Sequence, residues 1–180
     1  MSAKTQAWAR RYIERDLAPI AVPLGSKNPN RPNWQDERVT ADGVSHYFNN
    51  GQNIGVLNGE PSGWRVCLDL DVTEAANLVG RFFPPTLTSG RQSQPHSHWW
   101  LISQGAETEK FKDVDGTMLM ELRSTGCQTI VAPSVHPSGE RYVWHSETGL
   151  EMAHIRAVEL RHRLRQLATA TLIGSHVADL

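Results

Sequence analysis

The chain has 180 residues, 39% of them hydrophobic and 21% charged, enough for one compact domain with a substantial core. It contains no apolar run of about 18 residues and opens Met-Ser-Ala-Lys-Thr-Gln without an apolar signal core, so neither a membrane span nor a secretion signal is expected and a cytoplasmic protein is. Two cysteines, Cys67 and Cys127, are too few for a disulfide framework or a four-thiolate zinc site, and both read as core thiols in apolar, strand-like surroundings.

In chain order, residues 5–17 form an amphipathic helix, with Trp8, Ala9, Tyr12, Ile13 and Leu17 recurring at three- and four-residue spacing. Residues 19–24 read as a short strand and 25–38 as a long basic loop. Thr40 caps a short helix with Val44, Tyr47 and Phe48 facing inward. Strands follow at 53–57 and 64–72, then a helix from Thr73 to about 83, which Pro84-Pro85 ends. The pattern next turns to strands at 86–89, 96–103, 118–123, 128–132 and 141–144. A last helix covers 151–170, with Ile155, Val158, Leu160, Leu164 and Leu167 apolar, and the tail after Leu172 is expected to be loose. The order implies an α/β (α+β) protein with one integrated core, residues 1–150 forming the main domain and 151–180 a C-terminal helix and tail.

Net charge is −1, which does not announce a nucleic-acid binder, but the charge is uneven. Residues 1–38 hold seven Lys or Arg against four acids, and residues 156–165 hold four Arg against one Glu. Either stretch could track a phosphate backbone, and either could be a solvated face.

Four stretches carry chemistry. In Trp64-Arg-Val-Cys-Leu-Asp-Leu-Asp-Val, side chains alternate, so Asp69 and Asp71 project on one side and Trp64, Val66, Leu68 and Leu70 on the other. Two such acids repel unless a cation lies between them, and Mg²⁺ or Mn²⁺ favours oxygen ligands of this kind. In Thr-Met-Leu-Met-Glu-Leu-Arg, Leu119, Glu121 and Arg123 share a face, so Glu121 is either a third carboxylate for that site or the ion-pair partner of an arginine. In Ser89-Gly-Arg-Gln-Ser-Gln-Pro-His-Ser-His-Trp-Trp, His96 and His98 share a face with Trp100, while Ser97 and Trp99 take the other. That pair could bind zinc or iron, with Glu121 as a further ligand of a cupin-like site. Equally, one imidazole and Arg91 could face a triphosphate, with Gly90 allowing close backbone approach. The loop around Ser134 and His136, bracketed by Pro133 and Pro137, either presents groups to a ligand or is a plain hairpin connection.

Together these stretches, from Trp8 to Trp144, resemble the bifunctional DNA primase/polymerase N-terminal domain of the archaeo-eukaryotic primase superfamily. Asp69-Leu-Asp71 resembles its metal-binding motif, and Ser97-His98 with Arg91 and Ser93 its phosphate-contacting motif. Glu121-Leu-Arg123 resembles its acidic third motif, and Gln128 to Gly139 the loop that follows. The serine usual two positions before the histidine is displaced here, His96 standing there instead. The resemblance implies a primase catalytic core whose palm sheet is like an RNA-recognition motif, packed with an N-terminal α/β unit. It implies two Mg²⁺ or Mn²⁺ ions held by Asp69, Asp71 and Glu121. The triphosphate would lie against Arg91, Ser93, Ser97, His98, Arg123, Gln128 and His136. Single-stranded DNA template would lie near Lys27, Arg31 and the 156–165 helix, and NTPs or dNTPs would be the substrates. No Gly-x-x-x-x-Gly-Lys-[Ser/Thr] occurs, so a helicase would be a separate partner. A replication-associated DNA-binding module without catalysis is the alternative.

Overall fold

The computed structural model describes residues 2–145 and 151–177. Its centre is β3 (Arg65–Leu70), where the alternation read from sequence takes effect: Val66, Leu68 and Leu70 point to one face and Cys67 and Asp69 to the other. β3 lies between β5 (Gln94–Ile102) and β7 (Met118–Arg123), antiparallel to both, in a large sheet of order β6-β7-β3-β5-β4-β9. The outer strands are β4 (Thr88–Arg91), β6 (Glu109–Lys112) and β9 (Val143–His145), and β10 (Ala153–His154) pairs parallel with the end of β5. A smaller sheet runs β1 (Ala18–Val22), β2 (Asn53–Leu57) and β8 (Gln128–Val131).

The two faces of the large sheet have separate cores. Val66, Leu68, Leu70, Met120 and Leu122 pack under α3 (Thr73–Leu78) and α4 (Ala157–Val177), the latter contributing Leu160, Leu164 and Leu167. On the opposite face Cys67 and Trp100 pack with α1 (Ser2–Ile13), α2 (Val44–Tyr47) and Ile54, Val56 and Val131 of the small sheet. Tyr12 ties these layers, its hydroxyl donating to the Ala132 carbonyl (2.5 Å) and accepting from Trp144 Nε1 (2.8 Å). The small sheet therefore stands as a wall over one end of the large sheet. The polar end of that same face remains open beside it.

The mixed α/β architecture agrees with the expected primase core, and several local expectations are corrected. Trp64 has φ 64° and lies outside β3, as does Asp71 beyond its end. Tyr47 is exposed, because a four-residue helix can turn only Val44 and Phe48 inward. β6 is an additional strand: an edge of sequence Glu-Lys-Phe-Lys, with one apolar residue, gives no alternation to read. Residues 153–154 are strand rather than helix, Val158 is 85% exposed, and α4 continues through Val177 instead of loosening after Leu172. The domain boundary placed at 150 falls on residues outside those described. Past it, Ile155 and α4 share the core of β3. No described helix is long and apolar enough to cross a membrane.

Candidate active site

The strand register aligns one polar row across five strands. Lys110 of β6 pairs with Glu121 of β7, Glu121 with Asp69 of β3, Asp69 with His98 of β5, and His98 with Ser89 of β4. Directly opposed residues share a face, so all five side chains point toward the wall of the small sheet. The next row, Arg123–Cys67–Trp100, lies on the same face two residues along. A groove of about 450 Å³ opens here, lined by Asp69, His98, Arg123, Lys27, Trp34 and Tyr142, with Cys127 and Gln128 at its edge.

Arg123 organises the acids. Its Nη2 pairs with Asp69 Oδ2 and its Nε with Glu121 Oε2 (2.9 Å), fixing one oxygen of each carboxylate. The other oxygens have weaker partners: His98 Nε2 lies 3.4 Å from Asp69 Oδ1, and the exposed Lys110 ammonium 3.4 Å from Glu121 Oε1. Burial acts to raise the Asp69 pKa, but the charge of Arg123 and then His98 outweigh it and leave the carboxyl at about 2. Asp71 behaves oppositely. Desolvation first and the neighbouring Asp69 charge second push it up to about 6, and its carboxylate makes no hydrogen bond or ion pair among the described residues.

His98 is oriented from behind. Ser89 Oγ accepts from Trp100 Nε1 (2.9 Å) and lies within hydrogen-bond distance of His98 Nδ1 (3.2 Å), which turns Nε2 toward Asp69. Ser89 is fully buried. Ser89→Ala is therefore expected to cost about 1–3 kcal/mol in urea unfolding, since it orphans the Trp100 indole N–H and frees the imidazole to turn.

Beyond His98 the site continues through aromatic rings. Tyr142 stacks on His98 (centroids 5.9 Å, 14° between planes) and meets His136 edge-on at 6.0 Å. Past them lies a second polar cluster at the tip of the β4–β5 hairpin, where Arg91 and Ser93 bond to Glu140. Lys27 acts on Asp69, Asp71 and His136 through its charge, which places it in the site. Gln128 holds it there, donating from Nε2 to the Lys27 carbonyl (2.7 Å) while its amide packs over Gly55, where a Cβ would lie 2.3 Å from Oε1.

The structure thus brings Asp69, Glu121, His98, Arg123, Gln128 and Lys27 together, with Asp71 beside them and Arg91, Ser93 and His136 at the far end. It separates others. Ser97, next to His98 in β5, points to the opposite face. So does His96: a bulge between Ser89 and Arg91 and a φ of 56° turn its ring onto Thr88 (2.8 Å) and against His145 (4.2 Å). The two histidines therefore do not share a face, and the cupin-like ligand set does not assemble. Arg31 is used structurally, paired with Glu37 and donating to the Ala21 carbonyl. The arginines of α4 lie on the far face, where Arg161 and Arg165 meet Glu107 and Glu109, and Arg163 meets Glu159. Cys127 is only half-buried and borders the groove, so it is not a core thiol as Cys67 is. Ser89, Tyr142, Lys110 and Glu140 are the site residues that sequence reasoning missed. Glu140 lies one residue past the loop already singled out and Tyr142 in the strand expected at 141–144, but nothing in their spacing marks them.

No three acids, cysteines or histidines among the described residues form a ready cage for a metal. The donor set nevertheless fits a hard divalent cation. Asp69 Oδ1 and Glu121 Oε1 are the loosely held oxygens, and the Asp71 carboxylate is raised by desolvation and then by the Asp69 charge, a repulsion that a cation would relieve.

Comparison with curated proteins finds no match. The model of the family described as bifunctional DNA primase/polymerase, N-terminal, matches residues 9–159, from α1 through the strand row and into α4. With that match covering most of the chain and both sheets, the protein belongs to the bifunctional DNA primase/polymerase N-terminal family.

Proposed function

We propose that the chain is a template-dependent nucleotidyltransferase, a DNA primase/polymerase that extends or starts a primer on single-stranded DNA during replication of a plasmid, phage or mobile element. The observation that supports this best is the row Glu121–Asp69–His98, with Asp71 just past the end of β3 and Arg123 holding one oxygen of each acid in the row. Asp69, Asp71 and Glu121 would hold two Mg²⁺ or Mn²⁺ ions. Ions held there would supply the Lewis acidity that a 3′-hydroxyl needs and positive charge opposite the departing pyrophosphate.

The chain's own residues supply the rest. His98, held by Ser89 with its Nε2 edge toward Asp69, would place a ring N–H beside an anionic oxygen bound there. Arg123 keeps both carboxylates in fixed rotamers, so little reorganisation is left for the moment of reaction. Lys27 adds positive charge from the loop over the groove, and Trp34 and Tyr142 offer aromatic faces on which a base can stack. DNA and nucleoside triphosphates are the partners.

The test is nucleotide incorporation on a single-stranded template, with and without primer, in Mg²⁺ and in Mn²⁺. Product without primer identifies a primase, and product only with primer an extending polymerase. Folded protein that binds single-stranded DNA but yields no product in either metal would be a DNA-binding module. The Arg123 bridge, which already pairs with one oxygen of both Asp69 and Glu121, is the feature that favours this second function.

A further inference from the structure

We infer that Glu140 is a resident anion seated among phosphate-binding donors, and that the triphosphate tail of an incoming nucleotide displaces it; this rests on the polymerase function proposed above. Four donors converge on the Glu140 carboxylate: the Ser93 backbone N–H (2.7 Å), Ser93 Oγ (2.9 Å), Arg91 Nη1 (2.8 Å) and Ser138 Oγ (2.9 Å). A guanidinium, a main-chain N–H and two hydroxyls are the groups that hold a phosphate oxygen, and a carboxylate satisfies them by the same geometry. Ser93's N–H and then the hydroxyls and Arg91 hold the Glu140 carboxyl down at about 2, so the seat carries its anion at every physiological pH.

The seat is connected to the acid row. Arg91 stands two residues past Ser89 on β4, and the ring column His98–Tyr142–His136 runs from Asp69 to the loop that carries Glu140. A triphosphate with one end at Asp69 and Arg123 has its other end directed along this column to Arg91 and Ser93.

Glu140 is not needed as a strut. The 134–142 loop is closed by its own backbone, with His136 N–H to the Glu140 carbonyl (2.8 Å), Gly139 N–H to the His136 carbonyl (2.8 Å) and Tyr142 N–H to the Ser134 carbonyl (2.9 Å). The hairpin tip is closed by the Arg91–Gln94 pairing. Ser93 and Ser138 are exposed and the Glu140 side chain is 23% exposed, so the carboxylate can leave into water while an anion enters. While seated, it pairs with Arg91 and occupies the donors of Ser93 and Ser138.

The experiment is calorimetric titration of the full chain with inorganic tripolyphosphate, for wild type, E140Q, E140A and R91A/E140Q. Removal of the competing charge is expected to tighten tripolyphosphate binding about fivefold in both single variants, with the gain weakening at high salt. The gain is expected to vanish in R91A/E140Q. Equal or weaker binding by E140Q and E140A, in protein with wild-type melting, would overturn the inference and make Glu140 a scaffold residue. Tripolyphosphate binding needs neither template nor turnover, so failure of wild type to extend a primer would count against the polymerase function alone.

Discussion

Asp71→Asn is expected to abolish nucleotide incorporation, by at least about a thousandfold, while making the protein more stable. The same observation gives both effects. Asp71 stands just past the end of β3 with its pKa raised from 3.8 to about 6 by desolvation and by Asp69, and its carboxylate has no hydrogen-bond or ion-pair partner among the described residues. A folded-state pKa above the unfolded value means that the ionised form costs stability. That cost is absent below 3.8, grows as pH rises to about 6 and is complete above it. Because the side chain is exposed, solvent screening reduces the cost to about 1 kcal/mol, and its removal raises Tm by about 2–4 °C. Thermal melts at neutral pH and at pH near 4 check this: the advantage of the variant should be present in the first and small in the second. An acid that destabilises its own fold beside a second carboxylate is what a cation-binding position looks like.

Asp69→Asn is expected to lose activity to the same extent with the opposite effect on stability. Asp69 is buried, and its carboxylate is held near 2 by Arg123 and His98. Here the folded-state pKa is depressed, so the stabilisation is present above 3.8 and is lost as pH falls toward 2. Asparagine keeps the shape but not the charge opposite Arg123, and about 2–3 kcal/mol should be lost at neutral pH in urea unfolding, shrinking in acid. Two acids one residue apart thus differ in sign: the strand carries Asp69 into a neutralised row and leaves Asp71 beyond it.

Much of this was legible in the chain. The alternation in β3 places Val66, Leu68 and Leu70 under the helices and Asp69 on the other face, because a strand covered on one side by α4 must segregate its apolar residues. Glu121 and Arg123 follow from the same period in β7. The β4–β5 hairpin was not legible. With Arg91 opposite Gln94, an unbroken ladder would set Ser89 against His96, whereas the bulge sets it against His98. Gly90 permits that bulge, since a Cβ there would lie 2.4 Å from the Gln94 carbonyl oxygen. No alternation rule reports an irregularity of this kind, so the orienting role of Ser89 and the opposite facings of His96 and His98 appear only in the fold. The α4 arginines misled for a related reason: charge density in a segment says nothing of which face of the sheet the segment covers, and theirs is spent on Glu107, Glu109 and Glu159.

The decisive measurement is Mn²⁺ binding followed by electron paramagnetic resonance in wild type, Asp71→Asn and Asp69→Asn, with no nucleotide present. Wild type should take up Mn²⁺ more tightly as pH rises through about 6, where Asp71 ionises, and both variants should bind far more weakly at every pH. Mn²⁺ uptake by Asp71→Asn equal to that of wild type would contradict a metal-dependent centre at the end of β3.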